Sequence, residues 1–169
     1  PAKRPMDFLR ALARLAETGS RRFGAIVAGE GPQRDECESF SRERELPVRY
    51  VGFVNQAELP RTYQLADFLV LPSESETWGL VVNEAMLCGL PAIVIEEAGC
   101  TPELISRSGV GRSFPSGDVP ALAEQMREVI EMASERRAAW RDAARRTAME
   151  TSVVCVAERM GAVLGRECS

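Results

Sequence analysis

Five short apolar runs, each set between polar or helix-patterned segments, constrain this chain more than any other feature. They are "FGAIVAG" (23–29), "VRYVG" (48–52), "DFLVLP" (67–72), "PAIVIE" (91–96) and "VGRSF" (110–114). Each is too short for a buried helix and reads as a strand; the first, a continuous apolar run closed by glycines, has the pattern of a strand buried on both faces. Helix-length stretches separate them, over 33–45, 57–66 (Leu59, Tyr63 and Leu65 inward) and 79–89, with a short helix at "TPELI" capped by Thr101. An earlier helix carries Phe8, Leu9, Leu12 and Leu15 on one face and stops at Gly19. Alternation of this kind builds βαβ units, and right-handed crossovers wind them into a sheet. The expected class is therefore α/β: a Rossmann-like, doubly wound, mostly parallel sheet with helices on both faces.

Beyond residue 114 the pattern turns helical. Asp118 stands as N-cap to a helix with Val119, Leu122, Met126, Val129 and Ile130 on one side. An arginine-rich helix follows over 134–149, and a third is expected over 152–164. The arginines (Arg136, Arg137, Arg141, Arg145, Arg146) read as a solvated face; contact with an anionic membrane surface or another domain is the alternative.

Composition excludes several function classes. The 169 residues suit one domain or part of a larger one, and a start at Pro1 directly into a helix reads as a piece of a longer protein. A net charge of −4 argues against a nucleic-acid footprint, and no apolar run reaches membrane-spanning length. Without any histidine, a zinc site or a Ser-His nucleophile is not expected. Five scattered cysteines with no C-x-x-C spacing suit reduced thiols and a cytoplasmic location.

Ligands in such sheets bind beyond the carboxyl ends of the strands, which selects the loops 29–32, 52–56, 72–78 and 96–101. Glu84 lies in a helix that is otherwise apolar nearly all round, with no lysine or arginine between Arg61 and Arg107. A buried carboxylate needs a partner. That partner is either a ligand, such as the vicinal diol of a ribose, or water or a distant arginine. Glu76 reads as a loop carboxylate at the ligand edge, and Gly79 lets backbone approach a ligand where first-turn N–H groups point outward. Gly29-Glu30-Gly31-Pro32 is a second glycine turn, which a tight strand-to-helix connection would also explain. Lys3 and Arg4 supply positive charge, and the Trp78 ring reads as a packing residue.

Together these stretches resemble a family. "ETWGLVVNEAMLCGLPAIV" (76–94) is similar to the E-x7-E signature of retaining glycosyltransferases with the GT-B fold, most closely family 4, whose usual form is E-x-F-G-L-x-x-x-E-A-M-A-x-G-x-P-V-I. "AIVAGEGP", "VRYVGFV", "YQLADFLVLPSESE", "AGCTPELI" and "GDVPALAEQM" resemble further family segments in the right order. The resemblance implies that residues 1–169 are the C-terminal, donor-binding half of a two-domain enzyme, with 150–169 as closing helix and the first strand and N-terminal acceptor domain outside the chain. It places the ribose on Glu84, the transferred sugar on Glu76, and the diphosphate and sugar on backbone amides of Thr77, Trp78, Gly79, Leu80 and Val81. Val54 would border the base, and Gly29 and Gly31 would lie near the phosphates. Lys3, or Arg4 in the other alignment, would neutralise the leaving diphosphate. Cys100 stands where the family often has glycine.

The implied reaction is transfer of a hexose-type sugar with retention, using a nucleotide-diphosphate sugar as substrate and neither metal nor cofactor. The location it implies is cytoplasmic, with peripheral contact at the inner face of the membrane left open. A sugar-nucleotide epimerase of the same architecture and a non-catalytic nucleotide-binding domain are the competing readings.

Overall fold

The computed structural model describes residues 3–19 and 23–151. The helix expected over 152–164 lies outside the described residues, as does the closing segment 150–169 apart from Glu150 and Thr151. The chain alternates α1 (Pro5–Glu17), β1 (Ala25–Ala28), α2 (Arg34–Glu43), β2 (Val48–Gly52), α3 (Leu59–Gln64), β3 (Leu69–Leu71), α4 (Leu80–Leu87) and β4 (Ala92–Ile95). A six-residue π-helical segment (Thr101–Ser106), β5 (Arg112–Phe114), α5 (Val119–Ile130) and α6 (Ser134–Glu150) complete it.

All strand pairs are parallel, in two ladders, β1-β2 and β3-β4-β5. The sequence predicts one continuous sheet. Among the described residues no strand pairs with both β1 and β3, so backbone bonds do not join the ladders. Packing does. Ala25 of β1 and Val48 and Tyr50 of β2 pack against the same buried cluster that holds Leu9, Leu12 and Leu15 of α1, Ile93, Val94 and Ile95 of β4, and Leu122 and Met126 of α5. β4 is the middle strand of its ladder and is buried at every position, each large aliphatic side chain there contributing about 1.5–3 kcal/mol.

Several local expectations are met by physical cause. Asp118 accepts the Ala121 N–H at 2.9 Å and caps α5. Others are corrected. Thr101 is not an N-cap: its hydroxyl donates inward to the Ile95 carbonyl at 2.7 Å, and Cys100 precedes the π-helical segment. Leu65 points to solvent at 76% exposure, because α3 ends at Gln64 and the helical face ends with it.

The α6 arginines are likewise not simply solvated. Arg137 donates to the Ile130 carbonyl, Arg141 to that of Ala66 at 2.9 Å and Arg145 to that of Cys88. Ile130 closes α5, while Ala66 and Cys88 lie just past α3 and α4. Helix carboxyl ends leave such carbonyls unpaired and attract cations. Arg136 and Arg146 remain exposed.

Candidate functional site

The loop between β3 and α4 forms one side of a cavity of about 350 Å³ lined by Lys3, Glu76 and Thr77 through Val81. Gly79 is its hinge. Its φ of 94° is a left-handed conformation that favours glycine, and a Cβ there would press on the Cys100 sulfur at 3.2 Å and on Glu76 Cγ at 3.3 Å. Behind the turn, the loop after β4 holds it by backbone alone: Gly99 N–H donates to the Glu76 carbonyl at 3.1 Å and Cys100 N–H to that of Trp78 at 3.0 Å. Gly99 approaches so closely that a Cβ would stand 2.0 Å from the Thr77 oxygen.

These contacts occupy carbonyls and leave donors free. Among the described residues, the N–H groups of Thr77, Trp78, Gly79, Leu80 and Val81 have no acceptor. Consecutive unpaired amides entering a helix, beside a lysine, attract an anion. Lys3 Nζ meets Glu76 Oε2 at 2.6 Å, and Ser73, fully buried, donates to the same oxygen at 3.4 Å. Arg4 is turned away from the cavity into an ion pair with buried Asp7 at 2.6 Å. The geometry therefore puts Lys3, not Arg4, in the cavity wall.

α4 continues from this cavity into a second, of about 260 Å³, where Glu84, Leu87 and Cys88 face Leu59 and Tyr63 of α3. The expectation of an all-round buried α4 is corrected here: Leu80 is 69% and Leu87 45% exposed, since this face lines the two cavities rather than the core. Glu84 forms no ion pair among the described residues; its side-chain partner is the Tyr63 hydroxyl, which donates to Oε2 at 3.3 Å. Burial, and then the neighbouring Glu84 charge, push the Tyr63 phenol up to about 12. It stays a donor across ordinary pH. Nothing in the sequence links these residues, which sit 21 positions apart on different helices.

Other expected residues fall differently. Trp78 stands 36% exposed in the first cavity wall instead of packing inward. Cys100 is wholly buried beneath Gly79, and burial pushes its thiol up to about 11, so it does not narrow the cavity mouth. Gly29, Gly31 and Val54 line neither cavity, and the Gly29 N–H is spent on the Gly52 carbonyl at 2.7 Å. Glu74 is exposed and outside both. No group of three acidic, histidine or cysteine side chains is placed to hold a metal among the described residues, and no described helix is long and apolar enough to cross a membrane.

Comparison with known proteins gives this geometry a family. The model of the family described as "Glycosyl transferases group 1" matches residues 1–147. The chain is 35% identical over 136 residues to a glycogen synthase of Mycobacterium tuberculosis, covering 78% of the chain and 32% of that protein. It is 34% identical over 130 residues to the 2-deoxystreptamine glucosyltransferase of Streptomyces kanamyceticus, covering 73% and 32%. Among solved structures, an Anabaena protein in complex with UDP and glucose aligns with a TM-score of 0.79 at 24% identity, over 98% of this chain and 46% of that one. The Staphylococcus aureus TarM G117R mutant, solved with UDP, fondaparinux and a GlcNAc-glycerol, aligns at 0.80 with 17% identity, over 95% and 32%. These structural likenesses establish the fold, that of GT-B glycosyltransferases. The chain spans about a third of the length of the two curated relatives.

Proposed function

The chain belongs to the group 1 glycosyl transferases, and on that premise we propose that it is the donor half of a retaining glycosyltransferase that binds a nucleoside-diphosphate hexose. One observation carries the reading: five successive amides, Thr77 through Val81, unpaired among the described residues, share a cavity with Lys3 and Glu76 and lead along α4 to Glu84. The diphosphate takes the amides and the Lys3 ammonium. Glu76 then exchanges its lysine for hydroxyls of the transferred sugar, and Glu84 accepts from the ribose diol.

When the bond from the anomeric carbon to the diphosphate breaks, negative charge grows on oxygens already facing fixed donors. That is electrostatic stabilisation of the kind that lowers barriers most. In this scheme Lys3 and the amides take the neutralising role a metal has elsewhere. The glucosyltransferase relative and the UDP and glucose of the Anabaena structure support a hexose donor. The acceptor is assigned to an N-terminal domain outside the chain, and the enzyme to the cytoplasm.

The test separates the two glutamates in the full-length protein. Glu76→Gln is expected to lower kcat with little change in nucleotide affinity, and Glu84→Gln to weaken nucleotide binding. The reverse pattern, or sugar-nucleotide epimerisation without transfer, contradicts the proposal. The isolated 169-residue chain is expected to show no transfer, and measurable turnover from it would contradict the two-domain reading.

A further inference from the structure

Tyr63 is a buried residue, 6% exposed, that packs with Ala85 and Leu90 in a small cluster apart from the main core. A phenylalanine would satisfy that packing. The hydroxyl is instead turned toward Glu84, in the wall that both residues share. A carboxylate has two oxygens and about four acceptor positions. Tyr63 engages only Oε2, and a neutral phenol leaves the carboxylate its charge. An arginine in the same place would engage both oxygens and cancel that charge. A free glutamate also loses about 1.5–2 kcal/mol of rotamer freedom when it is ordered. A donor on a ring already locked by packing supplies that order before a ligand arrives.

We infer that Tyr63 is a positioning residue that fixes the Glu84 side chain so that its remaining acceptor positions meet both hydroxyls of a ribose. The inference rests on the ribose role proposed for Glu84. The raised phenol, at about 12, keeps Tyr63 a donor at every pH at which the enzyme would be assayed. The 3.3 Å separation is longer than the usual O–H···O distance of about 2.7–2.8 Å. The contact therefore has room to shorten when a ligand fills the remaining acceptor positions of the carboxylate.

The experiment reads ribose recognition, not overall affinity. UDP, GDP and ADP, each beside its 2′-deoxy and 3′-deoxy counterpart, are titrated into the full-length protein. Wild type is expected to bind at least one parent diphosphate and to lose about tenfold or more on removal of a hydroxyl, as for a hydrogen bond to a charged group. In Glu84→Ala that deoxy penalty should vanish. In Tyr63→Phe it should fall to about threefold or less, while affinity for inorganic pyrophosphate, which lacks a ribose, stays at the wild-type value. A merely structural tyrosine would move the thermal midpoint and leave the deoxy penalty intact.

The outcomes separate cleanly. Loss of the penalty in Glu84→Ala with its full retention in Tyr63→Phe overturns the positioning role and leaves the ribose reading standing. Retention of the penalty in Glu84→Ala, or no penalty in wild type, overturns the ribose reading and the inference with it. Should Tyr63→Phe not fold, Tyr63→Met, a flexible filler without a hydroxyl, carries the same expectation.

Discussion

Gly99→Ala adds a single methyl group where no room exists. The new Cβ would stand 2.0 Å from the Thr77 oxygen, 3.0 Å from the Thr77 carbonyl carbon and 3.3 Å from the Trp78 Cα. All three are backbone atoms, so no side chain can swing away. The two segments must separate by about 1.4 Å to restore ordinary contact at 3.4 Å. That shift breaks the bonds from Gly99 N–H to the Glu76 carbonyl and from Cys100 N–H to the Trp78 carbonyl, at 3.1 and 3.0 Å. At about 0.5–1.5 kcal/mol each, the loss is about 1–3 kcal/mol of stability. Function should suffer more, because misplacement of a binding group by about 1 Å costs about a hundredfold in rate. Calorimetric unfolding and steady-state kinetics of the full-length protein provide the assay. Gly24→Ala is the control, since its added Cβ meets only the Pro47 oxygen at an ordinary 3.9 Å. Equal kcat/KM for Gly99→Ala and Gly24→Ala would refute the view that the loop after β4 sets the position of the amides.

Lys3→Ala should lower kcat about tenfold or more while barely moving the thermal midpoint, because an exposed ion pair contributes about 0–1 kcal/mol. Arg4→Ala should do the reverse. It strips buried Asp7 of its 2.6 Å partner and costs about 1–2 kcal/mol, with Arg10 remaining at 3.4 Å; a kcat loss from Arg4→Ala at unchanged stability would assign the cation wrongly. The Tyr63 phenol predicts a pH effect as well. Its folded value, raised to about 12 from an ordinary value near 10, means that the unfolded chain gives up the proton first as pH rises. Stability from this group is complete below about pH 10 and is lost between about pH 10 and 12. Denaturant midpoints across that window should fall less steeply in Tyr63→Phe than in wild type.

The path from residues to fold was short wherever a periodic signal existed. β2 spans Val48–Gly52 as expected, α4 begins one residue later and ends two residues earlier than its expected limits of 79–89, and Asp118 caps the helix it precedes. Periodicity also isolated Glu84 as an acid needing a partner. It could not name Tyr63, because a contact between two helices leaves no trace in the spacing of either. Exposure of Leu80 and Leu87 was hidden for a related reason: apolar residues facing a ligand cavity and apolar residues facing a core have the same pattern. The carbonyl contacts of Arg137, Arg141 and Arg145 depend on which helix ends α6 crosses, a tertiary fact. Gly99 lay within a recognisable glycine segment, but only the 2.0 Å approach to Thr77 shows why a side chain is excluded.

On the proposed function, the amides of Thr77 through Val81 and the Glu84 carboxylate bind one nucleoside-diphosphate sugar. Backbone-amide NMR of the protein, titrated with UDP, GDP and ADP and a glucose conjugate of each, tests it most directly. Saturable shifts are expected at Thr77, Trp78, Gly79, Leu80 and Val81 with at least one base, accompanied by a shift at Glu84 that Glu84→Gln diminishes. Saturable binding that leaves Thr77 through Val81 unmoved, or no binding by any of these ligands to the full-length protein, would contradict it.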